Sequence, residues 1–189
     1  MKNLNLANMI TLGRIVLIPV FVIVFYLPYG WSYFASAVIF AAAGATDWLD
    51  GYIARKYNQS TPFGAFLDPV ADKLMVATAL VLLVGVINNV WFTIPAAVII
   101  GREIVISALR EWMAELGERA SVAVSIIGKL KTTAQIVSII VLLAFDFDLY
   151  PWAETLGYVL LYIAAILTIW SMFAYLKAAW PMLNPNAKL

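Results

Sequence analysis

The sequence contains no cysteine and no histidine, and only 12% of its residues are charged. The absence of these two residue types excludes a thiolate nucleophile, a histidine base and a Cys/His zinc site. Hydrophobic residues make up 64% of the chain, whereas soluble domains contain about 45–50%. A chain of 189 residues cannot hide that much apolar surface from water, so we expect lipid to surround most of it. Soluble enzymes and disordered proteins are therefore excluded.

Apolar runs predict six membrane-spanning helices in a single domain that covers residues 1–189. A spanning helix needs about 20 mainly apolar residues. The runs cover residues 15–29, extending back toward residue 8, then residues 31–45, 69–87, 91–109, 132–145 and 157–176. We predict an all-α polytopic membrane protein with short connections.

The distribution of Lys and Arg predicts the orientation of these helices. The connections around residues 28–30, 88–89 and 146–152 carry no basic residue. The basic residues of the loops and tails all fall on the other side. Because cytoplasmic loops carry the excess of Lys and Arg, both termini are expected in the cytoplasm.

Four aspartates lie at the cytoplasmic ends of the second and third predicted spans. Asp47 and Asp50 share one helical face with Gly51 and Ala54, since their spacing is i, i+3, i+4, i+7. On the next span, Asp68 and Asp72 are separated by four residues and also share a face. With Pro69 in the first turn, Asp68 is expected to cap the third helix at its N-terminus.

The four carboxylates predict a divalent metal site. They lie within 26 residues of sequence and would repel one another unless cations neutralised them. Oxygen ligands without His or Cys favour Mg²⁺, Mn²⁺ or Ca²⁺. Two ions in one site would suit phosphate chemistry. The alternative for each aspartate taken alone is a helix cap or a surface charge.

Arg102 is predicted to lie near the middle of the membrane, 11 residues beyond Trp91 on the fourth span. An arginine at that depth needs a polar cavity or a charged partner. One alternative is a structural ion pair, for example with Glu103 of a neighbouring helix or subunit. The other is a basic pocket, formed with Arg110, Lys129 and Lys131, that binds an anionic substrate group.

Two non-enzymatic classes of membrane protein fit these features less well. A divalent-cation transporter would place acidic residues at the midplane and often shows an inverted repeat. Here the aspartates cluster at one edge. A non-catalytic assembly subunit could use small-residue stretches such as residues 41–45 for helix packing, but would not need four aspartates.

Eight residues at fixed spacing resemble the signature of the CDP-alcohol phosphatidyltransferase family. The pattern is Asp47-x2-Asp50-Gly51-x2-Ala54-Arg55-x8-Gly64-x3-Asp68-x3-Asp72. The stretches 8–14, 60–73, 101–112 and 128–132 extend the resemblance over nearly the whole chain. They are most similar to bacterial members that use glycerol 3-phosphate as acceptor.

The resemblance implies the fold, the reaction and the roles of particular residues. It implies a six-helix homodimer in the bacterial inner membrane, with a short amphipathic N-terminal segment and an active site at the cytoplasmic face. The phosphatidyl group of CDP-diacylglycerol would pass to glycerol 3-phosphate, in phospholipid biosynthesis, with release of CMP. A sister enzyme using another acceptor, such as inositol phosphate, is the alternative within the family. No nucleic-acid partner is expected.

The roles that the resemblance implies fall on three groups of residues. The metal ligands would be Asp47, Asp50, Asp68 and Asp72, holding Mg²⁺ or Mn²⁺, and the general base would be Asp72. The CDP-diacylglycerol site would include Gly51, Ala54, Arg55 and Gly64. From the residues themselves, the acceptor phosphate is assigned to Arg102, Arg110, Lys129 and Lys131, and Asp72 is the plausible base because the chain lacks histidine.

Overall fold

The structure is a computed structural model that describes the backbone of residues 6–56, 62–115 and 126–183. Within these ranges it describes the side chains of residues 8–46, 63–64, 66–115, 128–177 and 179–180. The described ranges contain six helices and no strand. They are α1 (Leu6–Phe25), α2 (Ser32–Lys56), α3 (Pro62–Ile87), α4 (Val90–Glu115), α5 (Ile126–Ala144) and α6 (Pro151–Leu183). The predicted all-α fold is confirmed.

Four of the described helices are long and apolar enough to cross a membrane. They are the spans Asn8–Phe25, Phe66–Ile87, Val90–Glu115 and Pro151–Lys177. The apolar part of α2 is the shorter segment Ser32–Thr46. A membrane protein follows from these helices, and the prediction of six spans is taken up as a proposal below.

Aromatic residues collect at one end of the bundle, where α1 joins α2, α3 joins α4 and α5 joins α6. Trp31, Trp91, Tyr150 and Trp152 are exposed there, and Tyr29 stacks on Trp31 with ring centroids 5.6 Å apart. Exposed Trp and Tyr are enriched at membrane–water interfaces because their rings are apolar and their N–H or O–H groups are polar. This end therefore fits one membrane surface.

The bundle core is formed by large apolar side chains from all six helices. Phe21, Phe40, Leu80, Ile99, Ile139 and Leu161 are among its buried members. Helix α1 packs on α2 and α3, while α5 packs most extensively on α6. Many other large apolar side chains, including Val81, Ile104 and Ile166, face outward. An apolar exterior of this kind suits lipid as the surrounding solvent.

Particular residues determine the connection between α3 and α4 and the close packing of α5 on α6. Asn88 adopts a positive φ of 44° at the end of α3, a conformation that Asn tolerates better than most residues. The side chain of Asn89 then accepts a hydrogen bond from the Trp91 N–H at 2.9 Å, which caps α4. Between α5 and α6, a Cβ atom on Gly157 would lie 2.3 Å from Leu142, so glycine permits the close approach of these helices.

The helices differ from the predicted spans mainly at their polar ends. Helix α3 begins at Pro62, so Asp68 is not an N-cap and Pro69 lies inside the helix. That expectation was wrong because Pro62 already occupies the first position of the helix, where a missing N–H is tolerated, so the helix begins at the earlier of the two prolines. Likewise, α6 begins at Pro151 rather than near residue 157. Residues 1–5, where the amphipathic segment was expected to begin, lie outside the described ranges.

Candidate active site

The candidate site is a cavity of about 350 Å³ between α3, α4 and α5. We call it the polar cavity. It is lined by Asp68, Pro69, Asp72, Lys73, Val76, Glu103, Arg110, Lys131, Thr132 and Gln135. Asp68 and Asp72 lie on one wall, as their i, i+4 spacing predicted. Two predicted acceptor residues, Arg110 and Lys131, line the same cavity.

Helix α1 supplies the hydrogen bonds that hold the two aspartates. The Thr11 hydroxyl donates to Asp68 Oδ1 at 2.6 Å, and the Arg14 guanidinium donates to Asp72 Oδ1 at 2.5 Å. Thr11 and Arg14 are almost completely buried, at 1% and 2% exposure. Buried charges and hydroxyls need such partners, so these contacts fix both helices and both carboxylates.

The sequence analysis gave no role in the site to Thr11 or Arg14. A signal was present, since Asn8, Thr11 and Arg14 are polar residues at every third position of an otherwise apolar helix. This spacing keeps them on one side of the helix. All three are buried, which shows that α1 turns its polar side inward.

Glu103 lines the polar cavity from α4 and connects two basic residues. Its Oε1 atom accepts hydrogen bonds from Arg102 Nη1 at 2.7 Å and from Lys131 Nζ at 2.9 Å. Lys131 is buried, with 7% exposure. A buried ammonium group requires a counter-charge or a polar partner, and Glu103 provides both.

Arg102 and Arg110 also contact α6. Arg102 Nη2 donates to the Ser171 hydroxyl at 3.2 Å, and Arg110 donates to the Tyr175 hydroxyl. The Arg110 guanidinium also lies 4.8 Å from the centre of the Tyr175 ring. Arg102 is not among the residues that line the polar cavity. Its ion pair is with Glu103 of its own helix, one residue away.

Lys73 is a cavity residue to which the sequence analysis gave no role. Its ammonium donates a hydrogen bond to the Ser107 hydroxyl, and this hydroxyl donates to the backbone carbonyl of Glu103. This chain of contacts ties α3 to the turn of α4 that carries Glu103. Lys73 follows Asp72 directly, so the two side chains leave α3 in different directions.

The remaining predicted site residues lie on α2, at the beginning of α3 and on α5. Asp47, Asp50, Gly51, Ala54 and Arg55 lie in the second half of α2, and their side chains are outside the described part. Gly64 is buried near the beginning of α3. Lys129 is exposed on α5 and does not line the polar cavity. Among the side chains that the structure describes, no three acidic groups come together.

A smaller cavity of about 110 Å³ brings α2 close to the aspartates. Asp72, Thr132 and Gln135 line both cavities, and Phe40, Ala43 and Gly44 of α2 line the smaller one. Gly44 precedes Asp47 by three residues on the same helix. The signature half of α2 therefore begins within one helical turn of this second cavity.

Comparison with known proteins gives the family. Residues 4–170 match the CDP-alcohol phosphatidyltransferase family. The chain belongs to this family. The resemblance found in the sequence is thereby confirmed, and members of the family generally depend on a divalent metal ion.

Bacterial CDP-alcohol phosphatidyltransferases resemble this chain over most of its length. A relative from Pseudomonas fluorescens is 58% identical over 186 residues, which cover 98% of this chain and 95% of the relative. Relatives from Escherichia coli (strain K12) and Shigella flexneri are each 58% identical over 175 residues, covering 93% of this chain and 94% of the relative. All three are named CDP-diacylglycerol–glycerol-3-phosphate 3-phosphatidyltransferase.

Proposed function

We propose that this protein transfers the phosphatidyl group of CDP-diacylglycerol to glycerol 3-phosphate, giving phosphatidylglycerophosphate and CMP. The observation that carries the proposal is the polar cavity, because Asp68 and Asp72 of α3 line it together with Arg110 of α4 and Lys131 of α5. One wall suits metal-bound pyrophosphate and the other suits the phosphate of the acceptor. The 58% identical relatives are named for the same reaction.

The donor set fits divalent metal ions. Asp68 and Asp72 offer carboxylate oxygens at the cavity. On the neighbouring helix α2, Asp47 follows Gly44 by three residues and Asp50 follows Asp47 by three more. We assign these four aspartates as ligands of Mg²⁺ or Mn²⁺, with two ions as the proposed number. Bound metal supplies neutralisation of the pyrophosphate charge and stabilisation of the leaving phosphate.

The nucleotide part of the substrate is assigned to the remaining signature residues. Gly51 and Ala54 share a face with Asp47 and Asp50, and their small side chains allow close approach to the backbone. Arg55 and Gly64 complete the proposed CDP-diacylglycerol site. Arg55 would pair with phosphate oxygens through its planar guanidinium group.

The transfer is a direct displacement. A hydroxyl oxygen of glycerol 3-phosphate forms a bond to the phosphorus that carries diacylglycerol, while the bond from that phosphorus to CMP breaks. The hydroxyl proton passes to a carboxylate oxygen of Asp72, and the bond electrons leave with CMP. Arg14 holds Asp72 in place through its ion pair. No side chain needs to form a covalent intermediate.

The acceptor phosphate is assigned chiefly to Arg110 and Lys131, because both line the polar cavity. Charge-assisted hydrogen bonds from these groups fit phosphate oxygens. Arg102 acts through Glu103, which it contacts, rather than from the cavity wall. Lys129 is exposed on α5 and would attract the substrate as it approaches the cavity.

We infer that the chain spans the bacterial inner membrane six times, as a homodimer with both termini and the active site at the cytoplasmic face. The aromatic end formed by Trp31, Trp91 and Trp152 supports this, because it lies at the connections that carry no Lys or Arg. Helices α2 and α5 would cross as parts of a bundle whose other members face lipid.

The proposed function is tested by CMP release from purified protein in detergent or vesicles. The assay supplies CDP-diacylglycerol, Mg²⁺ or Mn²⁺, and one acceptor at a time from glycerol 3-phosphate, glycerol, inositol phosphate and serine. We expect metal-dependent CMP release with glycerol 3-phosphate far above the other acceptors. Release with inositol phosphate alone would assign the sister reaction, and release with no acceptor would contradict the proposal.

A further inference from the structure

Glu103 is an acidic residue in the cavity that is proposed to bind the phosphate of the acceptor. A carboxylate beside such a site repels an anionic substrate unless cations neutralise it. Its neutralisation is visible in the structure, because Arg102 and Lys131 both bind Oε1. Two cations therefore outweigh one carboxylate, and Arg110 adds a further positive charge to the same cavity.

The two oxygens of Glu103 are in different situations. Oε1 accepts both ion-pair hydrogen bonds, at 2.7 and 2.9 Å. Oε2 accepts no hydrogen bond from the described residues. It is also not one of their fully buried polar atoms that lack a partner. An ionised carboxylate offers about four acceptor positions. Glu103 is thus held rigidly through one oxygen and retains acceptor capacity on the other.

The acceptor in the proposed reaction has a group that matches this capacity. Glycerol 3-phosphate carries a phosphate at one end, the attacking hydroxyl at the other and a second hydroxyl on the middle carbon, C2. Lys131 Nζ, one of the proposed phosphate ligands, is 2.9 Å from Glu103. A phosphate at Lys131 and an attacking oxygen at Asp72 place the C2 hydroxyl between the two walls.

We propose that Glu103 Oε2 accepts a hydrogen bond from the C2 hydroxyl and so determines the specificity of the cavity for a glycerol phosphate. This inference rests on the proposed function of the polar cavity. Hydroxyl-to-carboxylate hydrogen bonds are short and roughly twice as strong as neutral ones. Sites built to bind a substrate hydroxyl discriminate strongly against analogues that lack it, because their polar group is left unpaired.

The test compares two acceptors that differ only in this hydroxyl. They are glycerol 3-phosphate and 3-hydroxypropyl phosphate, which keeps the phosphate and the attacking hydroxyl. We expect the wild-type protein to favour glycerol 3-phosphate by about 10- to 100-fold in kcat/KM, the range for a hydrogen bond to a charged group. In Glu103→Ala the preference is expected to fall to about 1 to 3-fold, by the loss of that bond.

The preference is a ratio measured on one preparation, so a reduced amount of folded protein does not change it. If Glu103→Ala is inactive with both acceptors, Glu103→Gln provides the ratio, because it keeps the shape and weakens the hydrogen bond. The expected preference of Glu103→Gln lies between those of the wild type and of Ala. Glu111→Gln, an exposed acidic residue on the same helix, is the matched control and should keep the wild-type preference.

Lys131→Met separates recognition of the hydroxyl from recognition of the phosphate. Both acceptors carry the phosphate, so this variant should lower kcat/KM for both by similar factors and leave their ratio within about twofold. An unchanged ratio in Glu103→Ala, or in Glu103→Gln where Ala is inactive, would overturn the inference and leave Glu103 a support for Lys131. Failure of the proposed function is a separate result, since wild-type protein would then release no CMP with glycerol 3-phosphate.

Discussion

Arg14 of α1 donates a hydrogen bond to Asp72 of α3 across 58 positions of sequence, at 2.5 Å. Arg14 is almost fully buried, and Asp72 lies at the polar cavity. The first helix, which is long and apolar enough to cross a membrane, is therefore also part of the candidate active site. Thr11, one turn earlier, holds Asp68 in the same way.

The Arg14–Asp72 pair predicts that Arg14→Ala strongly reduces both activity and stability. Removing Arg14 leaves Asp72 without its counter-charge, and because the Asp72 side chain is 44% exposed, water compensates only part of that loss. We expect CMP release to fall by up to about 10²-fold, because Asp72 loses the group that positions it, and Arg14→Lys to recover part of that loss. Val16→Ala, an exposed position on the same helix, serves as the control for detergent-solubilised protein. Wild-type turnover in Arg14→Ala would show that the pair does not serve the site.

The position of Lys131 in the polar cavity predicts that Lys131→Met raises the KM for glycerol 3-phosphate but not the KM for CDP-diacylglycerol. The substitution keeps an unbranched side chain but removes the charge that is proposed to bind the acceptor phosphate. Charge-assisted hydrogen bonds contribute about 1.5–3 kcal/mol, so the KM for glycerol 3-phosphate should rise about 10- to 100-fold. The KM for CDP-diacylglycerol should change little. Initial rates at varied concentrations of each substrate provide the measurement.

Controls for the Lys131 prediction come from the other basic residues. Lys177→Met removes an exposed charge on α6 and should leave both KM values unchanged. Arg102→Ala should have a smaller effect than Lys131→Met, because Arg102 reaches the cavity only through Glu103. Equal increases in both KM values for Lys131→Met would contradict a specific role in acceptor binding.

The contact between α5 and α6 predicts that Gly157→Ala is destabilising. The new Cβ would lie 2.3–2.4 Å from side-chain atoms of buried Leu142. Overpacking a core costs about 1–3 kcal/mol, which exceeds the gain of up to about 1 kcal/mol from replacing glycine in a helix. Gly85→Ala is the matched control, because no atom of another helix lies within 4 Å of its Cβ position. Thermal unfolding in detergent should show a lower Tm for Gly157→Ala alone.

The proposed topology predicts opposite labelling of two single-cysteine variants. The natural chain has no cysteine, so each variant carries one reactive thiol. Asn89→Cys, in the connection between α3 and α4, should react with an impermeant thiol reagent added to intact cells. Gln59→Cys should react only after the cells are opened. The reverse pattern would place the aspartates on the outer side of the membrane.

The sequence predicted those parts of the site that depend on local geometry. Asp68 and Asp72 share a cavity because a spacing of four residues in a helix places side chains on one face. The contact between Arg14 and Asp72 could not be predicted in this way, since it depends on how α1 packs on α3. Arg102 shows a related limit. Its depth follows from its position along α4, but its direction depends on the rotation of the helix, which turns it toward Ser171.

The central claim, that chemistry takes place at the aspartate wall of the polar cavity, is tested most directly by Asp72→Asn. The substitution keeps an oxygen that can accept the Arg14 hydrogen bond but removes the base. General-base catalysis contributes about 10²–10⁴-fold to a rate. Turnover of each protein is measured as CMP release at saturating metal and both substrates, alongside metal-dependent binding of CDP-diacylglycerol. We predict that Asp72→Asn loses at least about 10²-fold in turnover and retains measurable binding, whereas near-normal turnover would contradict the assignment.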